Sequence, residues 1–264
     1  MKLPVALTIA GSDSGGGAGI QADLKTFAAL GVHGTSAVTA ITAQNTQTVS
    51  DILELPVALI RAQIDRVVED LHPAAAKTGM LSSPEIIECV ALAVREHGLQ
   101  KLVVDPVMVA KGGAKLLRDD AVDALRRQLI PLAAVITPNL PEAEVLLGRR
   151  LLTLADRKRA ARDLLQLGCR SVVVKGGHAD GPVVDIYHDA EGALEIAHER
   201  VPTRNTHGSG CVFSAAIAAF LATGMQPRDA FPAATRFIQA AIRAALELGG
   251  GHGPVNPMFE LIER

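Results

Sequence analysis

The amino-acid sequence predicts an α/β protein with three layers, in which a mostly parallel β-sheet is covered by helices on both faces. Short apolar, strand-like runs alternate with helix-like stretches along the chain, and such alternation produces right-handed crossovers between parallel strands. Of the 264 residues, 48% are hydrophobic but only 3% are aromatic, so the core consists of small aliphatic side chains, as in buried parallel strands. No repeat, charge block or low-complexity linker interrupts the chain. We therefore expect one domain over residues 1–264.

The strand and helix predictions follow the chain in order. An apolar run at residues 5–10 predicts the first strand, and after a glycine-rich loop residues 20–30 predict a helix that ends at Gly31. The further predicted strands are 34–42, 74–78, 101–104, 133–136 and 171–174, and the further predicted helices are 56–71, 84–97, 119–129, 141–147 and 156–167. Runs at 183–188 and 193–199, separated by a turn, predict a small antiparallel hairpin at the edge of the sheet.

Charge, cysteine content and hydropathy narrow the class of protein. The formal net charge is −2, no basic run occurs and there is one Tyr, so both the electrostatic attraction and the stacking platform of a nucleic-acid binder are missing. Cys89, Cys169 and Cys211 are odd in number and far apart, which argues against a disulfide framework or a structural zinc site and is typical of the reducing cytoplasm. No apolar run is close to the length of about 20 residues that a membrane-spanning helix needs. We expect a cytoplasmic protein that binds a small molecule, without nucleic-acid or membrane partners.

Polar residues follow the apolar strands at the points where several strands end. Because the carboxyl ends of parallel strands meet at one edge of a sheet, these side chains are expected to form one site. Asp105 is placed to hold Mg²⁺, directly or through water. Asn139 and Glu142, three residues apart at a predicted helix start, can face the same site, and Lys175 adds a positive charge. The glycine-rich loop 111–115 can close its lysines over phosphates, or alternatively is a solvated turn.

The first strands contribute candidates for substrate binding. The glycine-rich loop after the first strand matches neither the dinucleotide fingerprint nor the phosphate-loop motif. Asp23 can accept a hydrogen bond from an amino group of a substrate, or alternatively interacts only with the positive end of its helix. Gln44 can pair with a heteroaromatic ring that bears a nitrogen and an amino group, or alternatively caps a turn. Met80 can form an apolar wall for a flat ring, or alternatively belongs to the core.

A polar, glycine-rich segment runs into an Ala-rich apolar helix at residues 203–221. Free N–H groups and the positive end of the helix dipole converge near Gly208, Ser209, Gly210 and Cys211, which predicts an anion-binding site. A thiol at a helix N-terminus is expected to have a lowered pKa. Alternatively, the segment is a loop capped by the side chain of Ser209 or Thr206, and Cys211 is only a small apolar residue.

Six motifs together resemble a known enzyme family over nearly the whole chain. They are AGSDSGGGAGIQADLK (10–25), QNT (44–46), DPVMV (105–109), TPNLPEAE (137–144), VKGGH (174–178) and NTHGSGC (205–211). This set closely resembles the bacterial hydroxymethylpyrimidine/phosphomethylpyrimidine kinases of thiamine biosynthesis. The resemblance implies a ribokinase-like fold and a homodimer. It also implies transfer of the γ-phosphoryl group of ATP, with Mg²⁺, to 4-amino-5-hydroxymethyl-2-methylpyrimidine and then to its monophosphate.

The resemblance also assigns expected roles to the candidate residues. The residues expected to contact the pyrimidine are Gly11, Asp23, Gln44 and Met80; those expected to contact ATP are Asn139, Lys175, Thr206 and Gly208; those expected near Mg²⁺ are Asp105 and Glu142. The amides of residues 208–211 and the Lys175 ammonium are expected to stabilise the transferred phosphoryl group. Cys211 occupies the position of the base in related sugar and pyridoxal kinases, which have Asp there, and it can act as a base only if its pKa is lowered.

Two alternative functions remain open from the sequence. A pyridoxine/pyridoxal kinase would have the same fold and chemistry but a pyridine substrate. A non-catalytic pyrimidine-binding protein would bind the ring without consuming ATP, although the predicted anion site and Asp105 argue against it.

Overall fold

A computed structural model of the chain describes residues 3–109, 113, 116–118, 120–178 and 183–262. The strands are β1 (Val5–Asp13), β2 (His33–Gln44), β3 (Val49–Glu54), β4 (Ala75–Thr78), β5 (Leu102–Val104), β6 (Val135–Ile136), β7 (Val172–Val174), β8 (Val183–Asp189) and β9 (Gly192–His198). The helices are α1 (Gly19–Ala29), α2 (Val57–Leu71), α3 (Pro84–Glu96), α4 (Ala121–Ala124), α5 (Leu140–Leu147), α6 (Leu154–Leu165), α7 (Ser209–Ala222), α8 (Pro227–Arg243) and α9 (Phe259–Ile262).

The strands form one sheet in the order β3-β2-β1-β4-β5-β6-β7-β8-β9. The six strands from β2 to β7 in this order pair in parallel. Strand β3 pairs antiparallel with β2 at one edge, and β8 and β9 are antiparallel at the other. The predicted fold class and the predicted hairpin are confirmed. The parallel strands bring their carboxyl ends to one edge, where the site is expected.

Helices cover both faces of the sheet because successive strand residues point to opposite sides. In β7, Val172 and Val174 pack into a core with α2, α3, α5 and α6, whereas Val173 packs into a second core with α7 and α8. All three valines are buried. The α7 helix is apolar on nearly every side, with ten buried residues among its fourteen, so most of its length packs in the second core.

Three elements differ from the sequence prediction. Strand β1 continues beyond residue 10, and its last two residues, Ser12 and Asp13, pair with β2 after a local irregularity. Strand β3 was not predicted; its residues are mostly exposed, so it lacks the apolar alternation that marks a half-buried strand. The predicted helix 119–129 begins as α4, becomes a π-helical turn at Leu125–Leu129 and ends in a 3₁₀ turn. Pro131 lacks the N–H that a continued α-helix needs.

Two further points concern the extent of the description. Residue 119 and both lysines of the loop 111–115, which the sequence predicts to close over phosphates, lie outside the described residues. Among the helices that the structure describes, none combines the length and apolar character needed to cross a membrane.

Candidate active site at the carboxyl edge of the sheet

A cavity of about 590 Å³ lies against the carboxyl ends of the parallel strands. The loops after these strands and the start of α7 form its walls. The predicted site residues that line it are Gly11, Gln44, Met80, Asp105, Asn139, Glu142, Lys175, Thr206, Gly208, Ser209, Gly210 and Cys211. These residues are separated by up to 200 positions in the chain, so the fold brings together what the strand-end argument predicts. Asp23 is the one predicted residue that does not line the cavity.

The start of α7 presents unpaired backbone donors to this cavity. Gly208 precedes the helix with φ +77°, and no side chain caps it, so the alternative of a Ser209 or Thr206 side-chain cap is wrong. The Ser209 N–H donates to the Thr206 carbonyl oxygen at 3.2 Å. The N–H groups of Gly210 and Cys211 have no acceptor within the described part of the chain. Two free donors at the positive end of a 14-residue helix form an anion-binding site.

Burial has a larger effect on the pKa of the Cys211 thiol than its position at the start of the helix. It raises the pKa of Cys211 to about 11; the Lys77 charge opposes the rise, and the Asp23 and Asp105 charges add to it. The expectation of a lowered pKa is therefore wrong. The thiol lines the cavity and is partly buried, and both the burial and the negative charges of Asp23 and Asp105 penalise a thiolate.

Asp105 is a buried carboxylate with three protein donors. It accepts hydrogen bonds from Lys175 Nζ at 3.1 Å, Thr137 Oγ1 at 3.2 Å and Ser214 Oγ at 3.1 Å. Burial alone would raise its pKa, but the charges of Lys175 and Lys77 and the hydrogen bonds hold the pKa of Asp105 below its usual range. Asp105 is therefore ionised at neutral pH and available to a cation.

Glu142 combines a structural contact with a shifted pKa. Its Oε2 accepts from the Asn139 N–H at 2.8 Å, and Asn139 Oδ1 accepts from the Glu142 N–H at 2.9 Å, so the pair caps α5. Burial raises the pKa of Glu142 to about 7, with the nearby Asp105 charge adding to the effect and Lys175 opposing it. Two carboxylates that affect each other's ionisation in this way share one electrostatic environment.

The oxygens of Asp105 and Glu142 fit the chemistry of Mg²⁺, which prefers hard ligands and keeps several waters. Within the described ranges, no group of three or more His, Cys, Asp or Glu side chains is arranged to hold a metal. A magnesium site here would therefore depend on these two carboxylates together with water and phosphate oxygens.

Lys175 connects the carboxylates to the anion-binding helix start. Its ammonium is 3.1 Å from Asp105 Oδ1. A Cβ atom added to Gly210 would lie 3.2 Å from Lys175 Nζ, so the absence of a side chain lets α7 begin beside this cation. The free N–H groups and the ammonium thus act on the same part of the cavity.

Lys77 is a residue that the sequence analysis missed, and it explains where Asp23 lies. Both residues are fully buried, and Lys77 Nζ is 2.9 and 2.8 Å from the two carboxylate oxygens of Asp23. Thr8 Oγ1 also donates to Asp23, at 2.6 Å. The carboxylate is turned to Lys77, which lines the cavity in its place; this corrects the expectation that Asp23 faces the substrate. A lysine inside the apolar run 74–78 was the available signal, because a buried charge requires a partner.

The opposite end of the cavity has an apolar wall and an amide. A Cβ atom added to Gly11 would lie 3.1 Å from Met80 Sδ, so the missing side chain makes room beside the thioether. Met80 is only 7% exposed but lines the cavity. Gln44 Oε1 lies 3.1 Å from Thr42 Oγ1, and the Gln44 side chain lines the cavity. A flat ring with polar edges fits between these groups.

The fold and the site define a class of protein: a small-molecule phosphotransferase with a ribokinase-like fold. A family model described as phosphomethylpyrimidine kinase matches residues 13–256, and the chain belongs to this family.

Similar proteins agree with this assignment. The chain is 50% identical to the hydroxymethylpyrimidine/phosphomethylpyrimidine kinase of Bacillus subtilis, over 97% of this chain and 95% of that one. A pyridoxal kinase from Bacillus subtilis, solved as an ADP complex, superposes with a TM-score of 0.92 and 42% identity, covering 99% of this chain and 100% of that one. A phosphomethylpyrimidine kinase from Clostridium difficile superposes with a TM-score of 0.81 and 45% identity, covering 91% and 100%.

Proposed function

We propose that this protein transfers the γ-phosphoryl group of ATP to the hydroxymethyl group of 4-amino-5-hydroxymethyl-2-methylpyrimidine and then phosphorylates the monophosphate to the diphosphate. This is a reaction of thiamine biosynthesis. The observation that carries the proposal is one cavity with an aromatic-ring end, formed by Gln44 and Met80, and a phosphate end, formed by the start of α7. The family match over residues 13–256 supports the same substrate.

The ring end of the cavity determines the substrate. Gln44 offers an acceptor and donors side by side, which complement the ring nitrogen and the amino group of an aminopyrimidine. Gly11 and Met80 provide the apolar surface against the face of the ring. We propose that the hydroxymethyl group of the bound ring lies beside Cys211 and the start of α7.

The phosphate end stabilises the transferred group. Phosphoryl transfer has a loose transition state with charge spread over the equatorial oxygens, so positioned donors provide most of the catalysis. The N–H groups of Gly210 and Cys211 and the Lys175 ammonium donate to these oxygens. Asn139 and Thr206 also line the cavity, and we propose that they contact the nucleotide.

Asp105 and Glu142 would hold Mg²⁺ through their oxygens. When bound, the ion supplies charge neutralisation for the ATP phosphates. Asp105 is ionised, whereas Glu142, with its pKa raised to about 7, loses its proton when a cation is present. Lys175 keeps Asp105 oriented by its 3.1 Å contact.

Cys211 contacts the substrate hydroxyl as a neutral thiol. With a pKa of about 11, it does not take up the hydroxyl proton before phosphoryl transfer at neutral pH. In a loose transition state the bond to the attacking oxygen is only slightly formed, so the hydroxyl does not need to be deprotonated by a strong base before attack.

The second candidate function is phosphorylation of pyridoxal or pyridoxine. The observation that favours it is the 42% identity and TM-score of 0.92 with the pyridoxal kinase of Bacillus subtilis. The surface that Gly11 and Met80 form is also compatible with the face of a pyridine ring. The third candidate is a binding protein without activity. Binding of the ring alone would not require the free donors or the Asp105–Lys175 pair at the phosphate end.

Product analysis tests the proposed function. The protein is incubated with ATP, Mg²⁺ and hydroxymethylpyrimidine, and in parallel with pyridoxal, and the products are separated by chromatography. We expect the pyrimidine monophosphate and diphosphate, with a higher kcat/KM for the pyrimidine than for pyridoxal. Phosphorylation of pyridoxal alone would select the second candidate, and binding of the pyrimidine without ADP formation would select the third.

We further propose that the chain acts as a single kinase domain in a cytoplasmic homodimer. Ile41 and Leu53 are direct cross-strand partners at the β2–β3 edge and are 48% and 65% exposed. Paired exposed aliphatic residues at a sheet edge favour contact with another subunit. Light scattering tests this: twice the chain mass of 27.6 kDa is expected, and the chain mass alone would contradict it.

A further inference from the structure

Asp13 is a buried carboxylate that the proposed reaction does not use. It is 3% exposed and ends β1. Its oxygens accept hydrogen bonds from the N–H groups of Gly15 at 2.8 Å, Gly17 at 3.1 Å and Ala18 at 2.8 Å. The fourth donor is His207 Nε2, at 2.8 Å. Burial alone would raise the pKa of Asp13, but these donors hold it below its usual range, so the carboxylate is ionised.

His207 directly precedes Gly208, the residue before α7. The His207 N–H donates to the Gly253 carbonyl at 3.0 Å, and the His207 carbonyl accepts from the Val255 N–H at 3.1 Å. The backbone around the helix start is therefore held by the carboxy-terminal segment, and the ring of His207 is held by Asp13. These contacts fix the direction in which the free N–H groups of Gly210 and Cys211 point.

The loop after β1 and the start of α7 are in direct contact. A Cβ atom on Gly208 would overlap the carbonyl oxygen of Gly17, and a Cβ atom on Gly17 would overlap the ring of His207. Small displacements of either segment therefore move the other. Since β1 also carries Gly11, this contact links the two ends of the cavity.

The contact with Asp13 also determines the hydrogen bonding of Gln44. His207 Nε2 lies 3.5 Å from Gln44 Nε2 as well as 2.8 Å from Asp13. An ionised carboxylate only accepts, so His207 Nε2 carries a hydrogen and donates it to Asp13. The same nitrogen then has no lone pair for the Gln44 amide, whose N–H groups remain available for a substrate.

We infer that Asp13 and His207 form a positioning pair that aligns the substrate end of the cavity, at Gln44, with the anion-binding start of α7. The inference rests on the proposed phosphoryl transfer and adds two positioning residues to it. Neither residue exchanges a proton with the substrate. The pair acts on Gln44 by leaving its amide N–H groups unbonded to His207, and on the N–H groups of Gly210 and Cys211 by holding the start of α7.

Steady-state kinetics of four variants test the positioning role. Because misplacement of about 1 Å can cost about a hundredfold in rate, His207→Ala and Asp13→Asn are each expected to lower kcat tenfold to a hundredfold, with KM for ATP changed less than threefold. The amide nitrogen of Gln can take the place of Nε2, so the kcat of His207→Gln is expected to be at least fivefold higher than that of His207→Ala. Since the pair acts as one unit, the kcat of the double variant should lie within threefold of the kcat of the less active single variant.

His97→Ala is the matched control, because His97 Nε2 also contacts a carboxylate, Asp65, at 2.6 Å, but far from the cavity. Its kcat is expected to equal that of the unmodified protein. Losses in the single variants that multiply in the double variant, or that match the fraction unfolded in a thermal melt, would overturn the inference. An inactive unmodified protein would instead contradict the proposed function.

A nitrogen-15 NMR spectrum tests the pair independently of activity. We expect a protected Nε2–H of His207 in the unmodified protein, and its loss in Asp13→Ala, which has no side-chain acceptor. An Nε2 without a hydrogen, or an unchanged signal in the variant, would overturn the inference even if kinase activity is present.

Discussion

Two acid–lysine pairs lie at the cavity: Asp23 with Lys77, and Asp105 with Lys175. Each acid contacts a lysine within 3.1 Å, and this pairing is what permits their burial. The Asp23–Lys77 pair is fully buried at the floor, whereas the Asp105–Lys175 pair borders the phosphate end. The first pair therefore determines mainly stability and the second mainly reactivity.

Lys77→Met is expected to destabilise the protein strongly. The change leaves Asp23 buried without a cation, and breaking a buried pair costs about 3–5 kcal/mol. Urea denaturation measures the loss of the free energy of unfolding. Lys158→Met is the control, because Lys158 forms a 2.7 Å ion pair with Glu195 but is 46% exposed; such a pair contributes at most about 1 kcal/mol. Equal losses in the two variants would contradict the account.

Cys211→Ala is expected to retain kcat within tenfold of the unmodified protein. A pKa of about 11 leaves the thiol protonated at neutral pH, whereas a general base contributes about 10²–10⁴-fold. Initial rates with the pyrimidine alcohol measure this, with Cys89→Ala as a control away from the cavity. A loss above a hundredfold for Cys211→Ala alone would restore Cys211 as the base.

At the scale of secondary-structure elements, the start of α7 is defined by its glycines. Gly208 has φ +77° and no room for a side chain against Gly17. Gly31 has nearly the same φ, +72°, but open space around it. Substitution of Gly31 therefore measures the cost of backbone strain alone, whereas substitution of Gly208 adds the effect on the site.

Gly208→Ala is expected to lower kcat more than a hundredfold, because the helix start must move and the free N–H groups move with it. Gly31→Ala is expected to cost only about 1–2 kcal/mol of stability from the positive φ and to leave kcat unchanged. Thermal unfolding establishes that each variant is folded before its rate is measured. Normal turnover in folded Gly208→Ala would contradict the proposed role of the helix start.

The β8–β9 hairpin contains a pH-dependent contact. His198 Nε2 lies 3.1 Å from Asp185 Oδ2, and this hydrogen bond raises the pKa of His198. A raised pKa means that the stability contribution is complete below the unfolded value, about 6.5, and is lost as the pH rises through the folded value. Denaturation at about pH 5.5 and pH 8 is expected to show a larger difference between the unmodified protein and His198→Gln at the lower pH. His33→Gln is an exposed control, and a pH-independent difference for His198→Gln would contradict the account.

Local patterns predicted the elements, and the edge rule for parallel strands predicted most of the site. Lys175 and Asp105, for example, each follow an apolar strand and do meet in the structure. The contacts that the sequence could not predict join distant positions: Asp23 with Lys77, and Asp13 with His207. Neither pair has a local signal, because each depends on how β1, β4 and the start of α7 pack. Strand β3 was missed because exposed edge strands lack a clear apolar pattern.

At the scale of the whole molecule, the sheet holds two binding regions at a fixed separation. The ring end lies on β1 and β2 and the phosphate end on the start of α7, and both are anchored in a continuous sheet with a core on each face. This arrangement allows the same site to phosphorylate first an alcohol and then its phosphate ester, if the ester oxygens can reach the free donors. The central claim is therefore that both transfers occur in one cavity.

The stoichiometry of the reaction tests this claim most directly. With excess ATP and Mg²⁺, phosphorus-31 NMR follows the fate of each hydroxymethylpyrimidine molecule. The account predicts that the monophosphate forms first and declines as the diphosphate accumulates, with two ADP produced per pyrimidine, and that Gly208→Ala slows both steps. A reaction that stops at one ADP per pyrimidine, or one in which Gly208→Ala slows only one of the two steps, would contradict it.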